Sequence, residues 1–224
     1  MGQIEAVLLD MDGTLVDSNP AHAAAWVEAL REHGYDVPFE DVLPLIGMGG
    51  DQLLPRVTNG VQKHSPEGMK IADRKKQIFK EKYWPRLRPF PCVRELVEHM
   101  QTRGMTVLVA SSSTRRDVLK MMELAGIADL VQATSAEDAK RSKPAPDIII
   151  AALQKTGTPA ERTLMIGDTP YDIEAAGAVG VGVIGLRCGG WDDDALRGAL
   201  AIYDDPADLL ANFDRSPLAL NGRG

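Results

Sequence analysis

The chain has 224 residues, enough to bury one good core and still carry a smaller second domain. Hydrophobic residues at 44% and charged residues at 25% match an ordinary soluble globular protein rather than a disordered or fibrous one. A formal net charge of −7 argues against a nucleic-acid surface, which needs clustered Lys and Arg, so a small anionic substrate would need a locally positive pocket. The opening Met1-Gly2-Gln3-Ile4-Glu5 has no basic n-region, and the apolar run after it is too short for a signal or membrane segment. The reading is therefore a cytoplasmic protein with no membrane partner, in which Cys92 and Cys188 stay reduced.

Val7-Leu8-Leu9 is a short apolar run that stops at Asp10, as a buried parallel strand does where its C-terminal end opens into a polar loop. Residues two apart in an extended segment point the same way, so Asp10 and Asp12 aim two carboxylates at one spot while Met11 turns away. Gly13 lets the backbone leave the strand sharply, and Thr14 adds a hydroxyl. Two carboxylates this close need a cation between them or a proton on one of them. A metal-bound Asp10 then suits a nucleophile, and a proton-holding Asp12 suits a general acid and base. Asp17 and Ser18 are available to cap the next helix, which leaves Asp10 and Asp12 free for chemistry.

From Asp17 to about Pro89 the apolar spacing turns helical. One helix follows Pro20 through Ala21, Ala24, Ala25, Val27 and Leu30 and stops at Gly34. A second covers about Phe39–Leu45, the loop Gly47-Met48-Gly49-Gly50 follows, and further helices are expected near Asp51–Val57 and Pro66–Tyr83. Pro85, Pro89 and Pro91 mark the return to the core. The expected division is a core of residues 1–16 and 90–224 with a helical insertion at 17–89.

Beyond the hinge, helices alternate with short apolar strands, the pattern of βαβ crossovers and a parallel sheet. Helices are expected over Cys92–Arg103, Arg116–Ala125, Asp147–Thr156, Asp172–Val179 and Ala207–Asn212. Strands are expected at Thr106–Ala110, Leu130-Val131, Leu164–Ile166, Val181–Leu186 and Leu200–Tyr203. Three strand ends carry further polar groups. Ser111-Ser112-Ser113-Thr114 offers hydroxyls and N–H donors where a helix begins, which suits phosphate, with Ser111 and Ser112 as candidates. Lys143 sits in Ser142-Lys143-Pro144-Ala145-Pro146-Asp147, where two prolines hold the backbone in a non-helical form and favour a positioned ammonium. Gly167-Asp168-Thr169-Pro170-Tyr171-Asp172 exposes carboxylates that suit Mg²⁺, unless they cap the following helix. Arg115 and Arg116 stand at a helix start, where the dipole disfavours cations, which hints that one meets an anion. Trp26 and Trp84 read as packing residues.

The string Asp-Met-Asp-Gly-Thr-Leu-Val-Asp-Ser at 10–18 resembles the first motif of the haloacid-dehalogenase-like hydrolases, a superfamily of mostly magnesium-dependent phosphatases. Ser111, the Ser-Lys-Pro-Ala-Pro-Asp string and the Gly-Asp-Thr-Pro-Tyr-Asp string resemble its second, third and fourth motifs. The resemblance implies an α/β, Rossmann-like, doubly wound parallel sheet with an inserted α-helical cap domain. It implies Asp10 as nucleophile, Asp12 as acid/base with its backbone carbonyl on the metal, Ser111 and Lys143 on the phosphoryl group, and Asp168 and Asp172 at Mg²⁺. The name-giving dehalogenases lack the second aspartate, so Asp12 points to phosphoryl chemistry. His22 resembles a histidine of many relatives that faces substrate, and the Gly47–Gln52 loop, Gly49 included, resembles the one that reads the leaving group.

That loop lacks the arginine with which β-phosphoglucomutase holds a second phosphate. The expected function is therefore a Mg²⁺-dependent phosphatase of a small phosphomonoester, of phosphoglycolate or sugar-phosphate type, working through an aspartyl-phosphate as a monomer or homodimer. A phosphosugar mutase is the alternative. A phospho-acceptor receiver-like signalling module shares the acidic pair, hydroxyl and lysine on a doubly wound sheet, but carries no inserted helical segment.

Overall fold

The computed structural model describes residues 3–219. Among them, β1 (Ala6–Leu9), β2 (Thr106–Ala110), β3 (Gln132–Thr134), β4 (Thr163–Gly167), β5 (Gly182–Leu186) and β6 (Ala201–Tyr203) form one sheet in the order β3-β2-β1-β4-β5-β6. Every neighbouring pair is parallel. Helices α1 (Asn19–Glu32), α2 (Phe39–Val42), α3 (Gly50–Val57) and α4 (Pro66–Ile78) follow β1, and α5 (Val93–Thr102) leads into β2. Between strands lie α6 (Arg115–Leu124), α7 (Asp147–Thr156) and α8 (Pro170–Gly177), and α9 (Pro206–Ala211) follows β6. This is a Rossmann-like, doubly wound α/β sheet carrying an α-helical insertion. Two compact units result, one from the residues up to Asp17 and from Arg88 on, the other from Ser18–Leu87.

The sheet's central strands are apolar throughout because both faces are covered. Alternation sends Leu8, Leu108, Ala110, Met165 and Val183 to one face, where they pack with Ile148, Ile149 and Ala152 of α7 and Ala175 and Ala176 of α8. Val7, Leu9, Val107, Val109, Leu164 and Ile166 are buried on the other. Removing a side chain such as Leu8 from water contributes about 1.5–3 kcal/mol, so the strand that carries Asp10 is anchored from both sides. In the helical unit, Ala23, Trp26, Ala29 and Leu30 of α1, Leu53 and Leu54 of α3, and Ile71 and Ile78 of α4 are buried. Trp26 is there a packing residue, pressed against the start of α3, where a Cβ on Gly50 would lie 3.0 Å from its ring.

Several boundaries depart from the sequence reading. The strand expected at Leu130-Val131 lies at Gln132–Thr134, because the N–H groups of Leu130 and Val131 are still turned back to the Ile127 carbonyl. Pairing begins only at Gln132 with Leu108, on a sheet edge that tolerates polar side chains. Neither Asp17 nor Ser18 caps α1 through its side chain; Ser18 occupies the cap position without such a bond, and Pro20 opens the first turn. The helix expected at Pro66–Tyr83 is α-helical to Ile78 and continues as a π turn, Phe79–Tyr83. Helix α8 begins at Pro170 rather than Asp172, because Thr169 caps it and Asp172 is the third residue of its first turn.

Leu8 is fully buried and Leu119 is 49% exposed. Leu8→Ala is expected to destabilise the protein by about 2–5 kcal/mol. Leu119→Ala should stay within about 0.5 kcal/mol. Urea unfolding of the two variants checks this, and equal shifts would contradict the burial described.

Candidate active site

The parallel register brings the strand ends level. Leu9 lies opposite Val109 of β2 and Ile166 of β4, so the next residues, Asp10, Ala110 and Gly167, stand side by side. The Asp10 N–H donates to the Ile166 carbonyl at 2.9 Å, which extends the β1–β4 pairing by one residue and fixes the first carboxylate. The chain runs from β1 outward to β3 and then returns to β4 on the other side of β1. At such a reversal the loops leave in opposite directions and open a crevice at the carboxyl ends of the strands.

Into this place the 141–147 loop delivers Lys143, whose side chain is 2% exposed. Arg141 ties the loop shut, its N–H (3.2 Å) and guanidinium (3.0 Å) donating to the Asp147 carboxylate. The Lys143 ammonium donates to Asp10 Oδ1 and, at 2.7 Å, to Asp172 Oδ1. Asp172 Oδ2 accepts from the Thr169 N–H at 3.1 Å and hydroxyl at 2.7 Å, completing a capping box on α8. Asp172 thus caps its helix and binds the lysine at once. Gly167 makes room for it, since a Cβ there would stand 2.7 Å from the Asp172 carboxyl carbon. Asp168, fully buried, accepts from the Thr14 hydroxyl at 2.8 Å through Oδ1.

Oxygens of Asp10, Asp168 and Asp172 all lie within 4.8 Å of one another. Burial pushes the Asp10 carboxyl up to about 7, against the pull of Lys143 and with Asp172 and Asp12 adding to the rise. Burial alone would lower Lys143, but Asp10 and Asp172 outweigh it and hold its pKa above the ordinary lysine value. Three carboxylates cluster here and one ammonium bonds two of them, so when all are ionised the group carries two surplus negative charges. An all-oxygen, buried, electron-rich donor set of this kind fits a hard divalent cation such as Mg²⁺.

Asp12 is half-buried, on a turn where Gly13 has φ +79° and its N–H meets the Val16 carbonyl at 2.8 Å. Its carboxylate does not join the group of three; Oδ2 accepts from the Ser113 hydroxyl at 3.3 Å. Ser111 is buried, and its hydroxyl accepts from the Ser113 N–H at 3.1 Å. The Ser112 hydroxyl is buried and has no hydrogen-bond partner among the described residues. Arg115 does meet an anion, but the protein's own: its N–H donates to Glu137 at 2.9 Å and its guanidinium to Asp138 at 3.2 Å.

His22 and Gly49 belong to the helical unit. The His22 ring stacks on Phe79 at 4.0 Å, and its Nδ1 lies 2.8 Å from the Lys75 ammonium. Gly49 is the cap residue of α3, its carbonyl accepting from Gln52 and Leu53. Sequence reasoning gave no role to Lys75, Thr169, Cys188 or Gly189. Thr169 alone carried a local signal, a threonine three residues before an aspartate with proline at the first helical position. The contact between Thr14 and Asp168 joins residues 154 apart and has none.

Residues 7–186 match the family model described as haloacid dehalogenase-like hydrolase. Over 218 residues the chain is 28% identical to an N-acetylmuramic acid 6-phosphate phosphatase of Pseudomonas aeruginosa, covering 96% of each protein. It is 28% identical over 171 residues to the pyrophosphatase PpaX of Oceanobacillus iheyensis, covering 76% of this chain and 77% of that one. Among solved structures, a hydrolase from Pseudomonas syringae superposes with a TM-score of 0.88 at 27% identity, over 94% of this chain and 98% of that one. With four-fifths of its length matched by the family model and the same architecture in that relative, the chain belongs to the haloacid dehalogenase-like hydrolases.

Proposed function

We propose that this hydrolase is a Mg²⁺-dependent phosphatase that releases inorganic phosphate from small phosphomonoesters through an aspartyl-phosphate on Asp10. The observation that carries this reading is the buried group of Lys143, Asp10, Asp168 and Asp172 at the reversal point of a parallel sheet. A carboxylate attacking a phosphate dianion is repelled unless positive charge is already in place. Asp10 and Asp168 would hold Mg²⁺, with the Asp12 carbonyl and Asp172 beside it, and the ion would supply that charge.

The chain's own groups do the rest. Lys143 orients Asp10 and offers its remaining proton to a phosphoryl oxygen. Ser111, Ser112 and their N–H groups, at a turn leading into α6, take the others. An Asp10 carboxylate oxygen forms a bond to phosphorus while the bond from phosphorus to the ester oxygen breaks. Asp12 gives its proton to that leaving oxygen. In the second half, Asp12 takes a proton from water, water oxygen bonds to phosphorus, and Asp10 is released as a carboxylate.

Asp12 suits this work because its carboxylate stands outside the lysine-bound group, with Oδ2 accepting from the Ser113 hydroxyl at 3.3 Å. Phosphoglycolate, sugar phosphates and amino-sugar phosphates are the substrates to assay first, with pyrophosphate beside them because one relative bears that name. One observation keeps the mutase reading alive. The 47–52 loop has no arginine of its own, yet Arg56 of α3 reaches back to it, its Nη1 donating to Met48 Sδ at 3.0 Å. Isomerisation of a hexose 1-phosphate without net phosphate release would favour that reading.

An aryl phosphate should be hydrolysed only with Mg²⁺, with activity lost to a chelator and restored by added metal. Asp10→Asn is expected to lower kcat by roughly a thousand-fold or more. Normal turnover by this variant would refute the nucleophile assignment.

The raised Asp10 pKa gives a separate expectation for the metal-free protein. A carboxyl whose folded pKa lies near 7 favours folding most below its unfolded pKa of 3.8, and that contribution is lost as pH rises toward 7. Metal-free Asp10→Asn should therefore gain stability relative to the parent between pH 4 and pH 7. Thermal unfolding across that range measures the gain; parallel pH profiles for the two proteins would contradict it.

A further inference from the structure

The segment joining β5 to β6 carries no residue of the proposed chemistry, yet it lies directly against the site. It begins with a single 3₁₀ turn, Arg187–Gly189. A Cβ built on Gly189 would stand 1.8 Å from Asp168 Oδ2, 2.4 Å from its carboxyl carbon and 2.5 Å from its Cβ. The clash reaches the root of the Asp168 side chain, so rotating its outer atoms does not relieve it. Asp168 has little freedom to yield, being fully buried with Oδ1 already held by Thr14.

The same turn reaches the first loop. The Cys188 thiol donates to the Gly13 carbonyl at 3.3 Å, one residue after Asp12 and one before Thr14. Burial first, and then the nearby carboxylates of Asp168, Asp205 and Asp17, push this thiol well above its ordinary pKa, so it stays a protonated donor. Gly189 does not have a positive φ, so backbone conformation gives no reason for glycine here. The close approach to Asp168 does.

We propose that Thr14 and Gly189 are positioning residues that clamp the Asp168 carboxylate from its two oxygens, with Cys188 tying the 187–189 turn to the loop carrying Asp12. This rests on the reading of Asp168 as a Mg²⁺ ligand. Groups that orient a ligand without touching the metal typically change metal affinity or activity by about 10- to 100-fold when altered. The clamp fixes which Asp168 oxygen, at what angle, is presented toward Asp10 and Asp172.

Mg²⁺ binding to the metal-free protein, measured by titration calorimetry, tests the clamp without relying on turnover. Gly189→Ala and Thr14→Val should each bind Mg²⁺ at least about tenfold more weakly than the parent. Thr14→Ser, which keeps the hydroxyl, should recover most of that loss. Gly177→Ala is the control, because a Cβ there meets nothing within 4 Å and its φ is not positive. In turnover assays the two clamp variants should need more Mg²⁺ for half-maximal rate, while the KM for aryl phosphate at saturating Mg²⁺ stays near the parent value.

Unchanged Mg²⁺ affinity in both Gly189→Ala and Thr14→Val overturns the proposal. If Gly189→Ala does not fold, the Thr14→Val and Thr14→Ser pair decides, and equal affinities for the two would overturn it. A parent protein that binds Mg²⁺ but releases no phosphate from any ester contradicts the phosphatase reading alone, and the calorimetric comparison still tests the clamp. A parent that binds no Mg²⁺ overturns both.

Discussion

One ammonium set among three buried carboxylates is the constraint from which the rest of the site follows. Lys143 is held by Asp10 and Asp172, and Asp168 stands within 4.8 Å of both aspartates. Removing charges from water is costly, and a buried ion pair recovers that cost only when its geometry is good and its remaining lone pairs are occupied. Here the geometry is supplied by the sheet register for Asp10, a capping box for Asp172 and a loop closed by Arg141 for Lys143. Even so, the negative charge exceeds the positive. Such an imbalance favours proton uptake, as at Asp10, or a bound cation.

The same imbalance connects stability to function. A site built only for folding would pair its charges or replace them with apolar groups. This one keeps surplus carboxylate at the sheet's reversal point, where parallel strands expose their ends to ligand. The serine turn after β2 adds N–H groups and hydroxyls, and the Ser112 hydroxyl is buried there with no hydrogen-bond partner among the described residues. Cation-seeking carboxylates next to anion-seeking donors would be complementary halves of the proposed site for a metal-bound phosphoryl group. Supporting contacts from Thr14, Thr169 and Gly189 restrict the aspartates further, as the proposed chemistry would require.

Much of the core was legible because its signals are local. A continuous apolar run ending at Asp10 marks a strand buried on both faces, and the same device recurs at Ala110 and Ile166. Strand β3 was misplaced by two residues because it is short, polar and at an edge, where pairing with β2 rather than hydrophobic periodicity defines it. The Asp10–Asp12 pair illustrates a subtler limit. Alternation predicts a shared direction, but β1 ends at Leu9; on the turn beyond it the Asp12 carboxylate accepts from Ser113 while its charge still raises the Asp10 carboxyl. Asp172 was open between helix cap and site residue; its Oδ2 caps α8 while its Oδ1 accepts from Lys143. Contacts such as those of Thr14 with Asp168 and Cys188 with Gly13 span more than 150 residues, and only the closed sheet brings them together.

In the proposed reaction the lysine-bound carboxylate of Asp10 receives the phosphoryl group. Acid quenching during turnover of a fast phosphomonoester substrate, followed by peptide mass analysis, reads this most directly. A phosphoryl group on the peptide containing Asp10, absent without Mg²⁺ and absent in Asp10→Asn, is the predicted result. Steady phosphate release with that peptide unmodified at every quench time, even in an Asp12→Asn variant that should stall the second step, would contradict it.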